Sequence, residues 1–347
     1  MDSARRATRQ PGNRMSLHRR RVIAAGLALS LPFVARAQAR VARIGWLMFG
    51  EPPARGRPAG EQTPSRYDAF RQGLRELGYS EGRNLIIAQR SADRQTARLP
   101  ALAAELVQLR ISVLVALEPP AVEAARKATA TIPIVMRSSD DPVELGWVAA
   151  LARPGGNLTG VTSYSTLLYG KRLQLLQETI PGLSRVAVLW DAEGPAAAES
   201  LRKTLLAAQE VGVQLHSLPV RSSKDFEKAF ESAVRSGATA MVPLRGPLIV
   251  TEHRRITELA VKARLPVIYD DREFTEAGGL MSYGTNLAQS YRRAATYVDK
   301  ILKGARPAEL PVEQPTTFEL VINLKNARAI GLAIPRSMLL RADRVIE

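Results

Sequence analysis

The stretch "LARPGGNLTGV", residues 151–161, joins an apolar, helix-like run to a strand-like run near the middle of the chain. Its glycines suit either a loop that binds phosphate through backbone N–H groups or a tight turn. The chain lacks the Walker pattern G-x-x-x-x-G-K-[ST], and a dinucleotide loop has its glycines after a strand and before a helix. Because that order is reversed here, Pro154–Gly156 predicts a turn that ends a helix and leads into a strand.

Short apolar runs typical of strands alternate with amphipathic helical stretches on both sides of this turn. The pattern starts with "VARIGWLMF" (41–49) and restarts with the similar "SRVAVLWDA" (184–192). Continuous apolar strands between helices predict parallel sheets covered on both faces, so we expect an α/β fold with two Rossmann-like lobes. The other strand candidates are 84–92, 111–117, 132–139, 158–164, 213–220, 238–245, 265–271 and 279–285.

The first 39 residues have the composition of an export signal. From Met15, the sequence "MSLHRRRVIAAGLALSLPFVARAQA" has a basic start, an apolar middle and small residues at its end. The apolar part is too short for a stable membrane anchor. We therefore predict cleavage after residue 39, periplasmic localisation and translation from Met15. The segment "RRRVI" fits twin-arginine export and general secretory export equally well.

Charge and composition narrow the classes of function. The formal net charge of +16 falls to +9 without residues 1–39, which hold eight Arg and one Asp. This modest charge and an aromatic content of 5% do not indicate a nucleic-acid-binding surface. The sequence has no cysteine, which excludes disulfides, thiolate catalysis and cysteine-based metal sites.

Motifs for catalysis are missing from the sequence. After residue 39 the only histidines are His216 and His253, and no G-x-S-x-G nucleophile motif occurs. We expect no catalytic residue, no metal and no cofactor, so an enzyme is not predicted.

Polar and aromatic residues follow several of the predicted strands. Open parallel sheets bind ligands beyond the carboxyl ends of their strands, where helix N-termini also offer free N–H groups. We expect a small-molecule site there. The candidate ligand-binding residues are Trp46, Glu118, Ser138, Ser139, Asp141, Thr162, Ser163, Tyr164, Trp190, Asp191, Arg245, Tyr269 and Asp270.

Some of these candidates have an equally simple structural interpretation. Asp141 precedes Pro142, a pattern typical of a helix N-cap. Trp190 could pack between the lobes, and Asp270 and Asp271 could cap the helix that follows them. The candidates describe a polar cleft and not an acid–base pair.

Several blocks give the chain a resemblance to a known family. They include "FRQGLRELGYSEGRNL" (70–85), "ARPGGNLTG" (152–160) and "LPVEQPTTFELVINL" (310–324). In these blocks and their order, the chain resembles the exported substrate-binding proteins of ATP-binding cassette (ABC) transporters, in the branch with tryptophan/tyrosine-type binding proteins.

The resemblance implies a type I periplasmic-binding-protein fold with a hinge of three segments. The lobes would be 40–162 plus 285–316, and 163–284 plus 317–347. It also implies a monomer that closes on a small amino-acid-like or aromatic solute, and a permease and ATPase that recognise the closed state.

Two positions depart from the pattern of the family. In "ALEPPAVEAA" (116–125), Pro119 and Pro120 have no N–H and Glu118 would repel a carboxylate, whereas relatives offer small and hydroxyl residues there. Arg245 stands where relatives often carry an acid. One hypothesis is an exchange of charges, with Glu118 binding an amine or hydroxyls and Arg245 an acidic group. In the alternative, Glu118 faces solvent and Arg245 pairs with a local carboxylate.

Three other functions compete with that of an importer component. A periplasmic receptor that presents ligand to a membrane kinase would have the same fold and export signal. A transcription regulator would need a DNA-binding headpiece where the export signal stands. An exported enzyme would need the catalytic motifs that the sequence lacks.

Overall fold

The computed structural model describes residues 41–50, 66–163, 168–194 and 197–347. The predicted export signal lies outside these residues, and so does the candidate site residue Tyr164. Over the described ranges, no helix has both the length and the apolar character needed to cross a membrane.

The strands fall into a five-stranded sheet, a three-stranded sheet and a four-stranded sheet. They are β1 (Ala42–Met48), β2 (Leu85–Ser91), β3 (Val113–Leu117), β4 (Ile134–Ser138), β5 (Leu158–Thr162), β6 (Arg185–Asp191), β7 (Gln214–Val220), β8 (Ala240–Pro243), β9 (Ile268–Tyr269), β10 (Met281–Thr285), β11 (Phe318–Asn323) and β12 (Arg344–Ile346).

Helices alternate with these strands along most of the chain. They are α1 (Arg66–Glu76), α2 (Leu99–Gln108), α3 (Pro119–Ala128), α4 (Tyr169–Thr179), α5 (Ala197–Val211), α6 (Phe226–Arg235), α7 (Pro247–Thr251), α8 (His253–Lys262), α9 (Arg272–Glu276), α10 (Leu287–Leu302), α11 (Leu324–Ile330) and α12 (Arg336–Arg341).

The five-stranded sheet has the order β2-β1-β3-β4-β5 and is parallel throughout. Helices α1 and α10 cover one face, where Phe70 and Tyr291 join the apolar cluster of Trp46. Helices α2 and α3 cover the other face, where Leu106 and Val122 pack with residues of β3 and β4. Because both faces are buried, the strands are apolar on both sides, as the sequence predicts.

The other two sheets have the orders β7-β6-β8 and β12-β11-β10-β9. A parallel bridge between Met241 and Val267 connects them. Only the pairing of β10 with β11 is antiparallel among the described strands. Together these two sheets form a second layer. Residues of α4 and α11 pack on one side of it, and residues of α6, α8 and α9 pack on the other. The predicted α/β fold with parallel sheets is confirmed.

The chain returns to the first sheet after β10. Helix α10 packs on α1, and the segment that follows it runs along β5, the edge strand. There the Glu313 N–H donates to the Gly160 carbonyl at 2.9 Å, and the Thr162 N–H donates to the Glu313 carbonyl at 2.9 Å. The late part of the chain therefore completes both a face and an edge of the first sheet.

The opening stretch forms the predicted turn, but no helix precedes it. Gly155 has a φ of +81°, and β5 begins at Leu158. Residues 141–157 form turns and bends in place of the predicted helix. Asp141 accepts the Val143 N–H at 2.8 Å and starts a single turn. Gly146, with a φ of +64°, then ends it, because a left-handed residue cannot continue a right-handed helix.

Within β5, Gly160 approaches the neighbouring strand unusually closely. Its φ is +139°, and a Cβ at this position would overlap the backbone of Met136 in β4. Only glycine fits both the conformation and the space.

Candidate functional site

Charged side chains from the two layers meet between α1 and α9. Arg66, at the start of α1, donates to Glu273 at 3.0 Å and lies 3.4 Å from a carboxylate oxygen of Asp271. Asp271 also caps α9 by accepting the Glu273 N–H at 3.1 Å. One arginine thus connects the helix on the first sheet to the helix that follows β9. Neither Arg66 nor Glu273 was among the predicted site residues, because no local sequence pattern marks a pair 207 residues apart.

The second arginine of this region, Arg245, pairs with a carboxylate nearby. Its Nη1 donates to Asp270 at 2.7 Å, and it lies 3.7 Å from Asp271. Burial is the largest influence and lowers the pKa of Arg245. The charges of Asp270 and Asp271 and the hydrogen bond with Asp270 together outweigh it, so the net pKa lies above the ordinary value. This contact is the one expected in the alternative interpretation, in which Arg245 pairs with a local carboxylate.

The acids of this cluster influence one another. Burial and the charge of Glu273 raise the pKa of Asp271 to about 6. For Asp270, burial acts in the same direction, but Arg245 and Arg172 outweigh it and the net pKa is lowered. The pKa values of these two adjacent carboxyl groups are therefore shifted in opposite directions, because Asp270 has the closer arginine.

Two tyrosines, the buried Tyr169 and the partly buried Tyr283, help to hold Arg172 and Arg245 in place. Arg172 is fully buried, donates from Nε to the Tyr283 carbonyl at 2.8 Å and lies over the Tyr169 ring at 5.2 Å. The Tyr169 hydroxyl accepts the backbone N–H of Arg245 at 3.3 Å. The first residue of α4 is therefore connected to the segment that follows β8.

Glu118 lies at the carboxyl end of β3 with a strained backbone. Its φ is +70°, which is unusual for a residue with a side chain. Its carboxylate accepts the Gly50 N–H at 3.1 Å, and its own N–H donates to the Arg137 carbonyl at 3.0 Å. The side chain is partly buried and binds Gly50, two residues after the end of β1.

Arg137 is the least expected residue in this region. It lies inside β4 with 2% of its surface exposed, and its guanidinium lies 5.7 Å from the centre of the Tyr291 ring. Burial lowers its pKa, and the nearby charges of Arg245 and Arg66 act in the same direction. The segment "IPIVMRSS" predicts a strand and the candidates Ser138 and Ser139, and the charge of Arg137 within this buried strand is a further signal that the prediction does not use.

The predicted hydroxyl residues hold the ends of β4 and β5 together. Ser138 accepts the Asp140 N–H at 3.2 Å, and Thr162 donates to the Asp140 carbonyl at 3.0 Å. The Ser163 N–H donates to the Ser138 carbonyl at 2.9 Å. Ser139 keeps a partly exposed side chain, whose hydroxyl donates to Asp140 at 3.3 Å.

The predicted aromatic residues lie in three different environments. Trp46 belongs to the core on the α1 face, with its ring 4.7 Å from Phe70 and its buried Nε1 unpartnered within the described chain. Tyr269 stacks on Phe274 at 4.6 Å. Trp190 donates to the Ser217 hydroxyl at 2.9 Å beside β7 and remains partly exposed.

Asp191 and Asp141 bind backbone N–H groups. Asp191 accepts from Leu248 at 3.0 Å and from Glu193 at 3.2 Å, so it fixes the loop after β6 to α7. Asp141 caps the turn described above. Across the described residues, no group of three or more His, Cys, Asp or Glu side chains could hold a metal ion.

Comparison with known proteins identifies the family. The model of the ABC transporter substrate binding protein family matches residues 60–346. The chain belongs to this family. Its members are substrate-binding components and not enzymes.

Individual proteins are similar to this chain. The chain is 24% identical to a tyrosine-binding protein of Clostridioides difficile (strain R20291) over 263 residues, covering 76% of this chain and 75% of that protein. The crystal structure of a conserved domain protein from Vibrio cholerae is 28% identical in sequence and has a TM-score of 0.77. The match covers 88% of this chain and 100% of that protein. An ABC domain from Streptococcus pneumonia in complex with L-Trp gives 23% identity and a TM-score of 0.77, over 88% and 99% of the two chains.

Proposed function

We propose that this protein is the exported solute-binding component of an ABC importer and captures a small amino-acid-like or aromatic solute. The two lobes of the proposal are 40–162 plus 285–316, and 163–284 plus 317–347. The solute would bind between them, and contacts to both lobes would favour the closed state. A permease and an ATPase would then recognise the closed, occupied form.

The contact of Arg66 with Asp271 and Glu273 is the observation that carries this proposal. It joins α1, which packs on the five-stranded sheet, to α9, which follows β9, and in the proposal these helices belong to different lobes. Open α/β sheets bind ligands at the ends of the strands that precede such helices. Of the predicted site residues, Glu118, Ser139 and Arg245 keep partly exposed side chains in this region. These three are proposed to line the solute site.

The names of related proteins support the class of solute. One curated relative is called a tyrosine-binding protein, and one similar structure contains L-Trp. Periplasmic localisation and a monomeric state complete the proposal. The exported protein is expected to begin at Arg40, which N-terminal sequencing or intact-mass measurement would establish.

A thermal-shift screen of the purified protein tests the function. L-tyrosine, L-tryptophan and L-leucine would be compared with small sugars and polyamines at equal ionic strength. A solute at a hundred times its Kd stabilises the native state by about 2.7 kcal/mol. A rise in Tm with an amino-acid-like or aromatic solute, together with a smaller radius of gyration in X-ray scattering, would support the proposal. No stabilisation by any such solute would contradict it.

A matched pair of variants tests the location of the site. Glu118→Gln removes a charge at the proposed site, whereas Glu105→Gln removes one from a surface ion pair with Arg90. The first substitution is expected to change solute affinity and the second to leave it unchanged. Equal affinities in both variants would remove Glu118 from the site.

A further inference from the structure

The guanidinium of Arg137 has an unused pair of donors. Its Nε and Nη2 atoms are buried and have no hydrogen-bond partner in the described part of the chain. These two N–H groups lie on one edge of the guanidinium plane and point the same way. That edge binds a carboxylate through two parallel hydrogen bonds.

Other arginines of the chain use the same edge for this purpose. The Nε and Nη2 atoms of Arg202 donate to the two carboxylate oxygens of Glu199 at 2.7 and 2.6 Å. Arg293 holds Glu313 in the same way. Both of these pairs lie at the surface, where water could replace the partner. Arg137 is buried, and no carboxylate of the described ranges binds its Nε/Nη2 edge.

Among the residues that the structure describes, no carboxylate is hydrogen-bonded to this edge of Arg137. Asp270 is paired with Arg245, and Glu273 is paired with Arg66. Asp271 lies 3.4 Å from Arg66 and caps α9. The Tyr291 ring faces the guanidinium and offers its π-surface, which accepts no hydrogen bond in the guanidinium plane. A buried charged donor without a hydrogen-bond acceptor costs free energy. Binding of an acceptor from outside the chain is therefore favoured.

We propose that the Nε/Nη2 edge of Arg137 binds a carboxylate of the transported solute. This inference rests on the proposed function and deepens it, because it names the group that the solute must carry. Arg137 is in β4, and its carbonyl accepts the N–H of Glu118, the residue that precedes Pro119 and Pro120. Glu118 would repel a carboxylate, and Pro119 and Pro120 have no N–H to donate to it. Arg137 supplies the hydrogen-bond donors that these residues lack. The solute is therefore an organic acid or an amino acid.

Titration with formate tests the donor edge without knowledge of the solute. In protein labelled with ¹⁵N-arginine, the Nε–Hε resonance of Arg137 would be assigned by its loss in the Arg137→Met variant. Sodium formate, the smallest carboxylate, is expected to shift this resonance downfield in a saturable manner, whereas sodium chloride at equal ionic strength does not. Absence of a saturable shift would overturn the inference.

Acid and amide pairs test the same edge with larger probes. L-tryptophan would be compared with L-tryptophanamide, and L-tyrosine with L-tyrosinamide, by calorimetry and thermal shift. Two charge-assisted hydrogen bonds predict that the acid binds about a hundredfold more tightly than its amide. Arg137→Met is expected to lose about the same factor for the acid, and Arg202→Met to lose none.

Stability measurements separate this role from a structural one. Arg137→Met removes an unpartnered buried charge and is expected to keep or raise the Tm of the free protein. Arg137→Lys keeps the charge without the paired donors, and is also expected to weaken acid binding. Equal binding of acid and amide, or full acid affinity in Arg137→Met, would overturn the inference and leave the proposed function intact. If no amino-acid-like solute binds the wild type, the proposed function fails, and the formate titration still decides the role of Arg137.

Discussion

Replacing Asp270 by Asn should destabilise the protein strongly, because Arg245 would lose its partner inside the fold. The two side chains are 5% and 11% exposed, and their charged atoms are 2.7 Å apart. Removing one member of a buried pair costs about 3–5 kcal/mol of the free energy of unfolding. Since Asp271 remains 3.7 Å from Arg245 and Asn can still accept a hydrogen bond, we expect a loss of about 3 kcal/mol.

The loss should depend on pH in a defined direction. The pKa of Asp270 is lowered from 3.8 in the folded state, because its arginine neighbours outweigh burial. Such a group contributes stability above its unfolded pKa, and this contribution is lost as the pH falls. The difference between wild type and Asp270→Asn should therefore be largest near pH 7 and smaller at pH 3.

Urea unfolding followed by circular dichroism at both pH values measures this difference. Glu199→Gln is the control, because the Glu199–Arg202 pair is 45% and 60% exposed and should contribute little to the free energy of unfolding. The double variant Arg245→Met/Asp270→Leu should recover most of the stability, since it leaves no buried charge unpaired. A loss below about 1 kcal/mol at pH 7, or one that does not shrink at pH 3, would refute the reasoning.

Three further predictions concern the same region and the first sheet. A double-mutant cycle of Arg66→Met and Glu273→Gln should give a coupling of about 1–2 kcal/mol in urea unfolding, because the two side chains are 22% and 28% exposed. Glu273→Gln should also lower the pKa of Asp271 below its value of about 6, since the charge of Glu273 helps to raise it; ¹³C NMR of the carboxyl groups would follow this, and an unchanged pKa would contradict it. Gly160→Ala should cost about 3 kcal/mol or more, because its φ of +139° and the backbone of β4 leave no place for a Cβ; a thermal melt within a few degrees of wild type would disprove this.

Much of the fold could be predicted because its signals are local. Every strand from β1 to β10 falls within a predicted apolar run, since strands buried on both faces are continuous in Val, Ile and Leu. Asp141 and Asp271 bind the N–H groups of the residues that follow them, as the cap interpretation predicts. The prediction of a helix before Pro154 was wrong. The apolar content of this segment suggested a helix, but the structure forms a turn at Asp141 and Gly146.

The candidate site was harder to predict because its contacts are long-range. Arg66 and Glu273 lie 207 positions apart, and no spacing rule connects them. Trp46 was a candidate ligand residue, but it lies on the same side of β1 as Ile44 and packs in the core with Phe70. The alternation of side chains along β1 could have indicated that Trp46 faces the core, whereas its residue type alone could not.

The late return of α10 to the first sheet has a consequence for the newly made chain. Helix α1 ends at Glu76, whereas its partner α10 ends at Leu302. At roughly 5–20 residues per second, the ribosome needs about 10–45 s to make the part between them. During that time Phe70, Leu74 and Trp46 lack the helix that covers them, so nascent chains expose an apolar surface that chaperones would have to shield. A chain truncated before Leu287 would keep that surface exposed permanently and should aggregate.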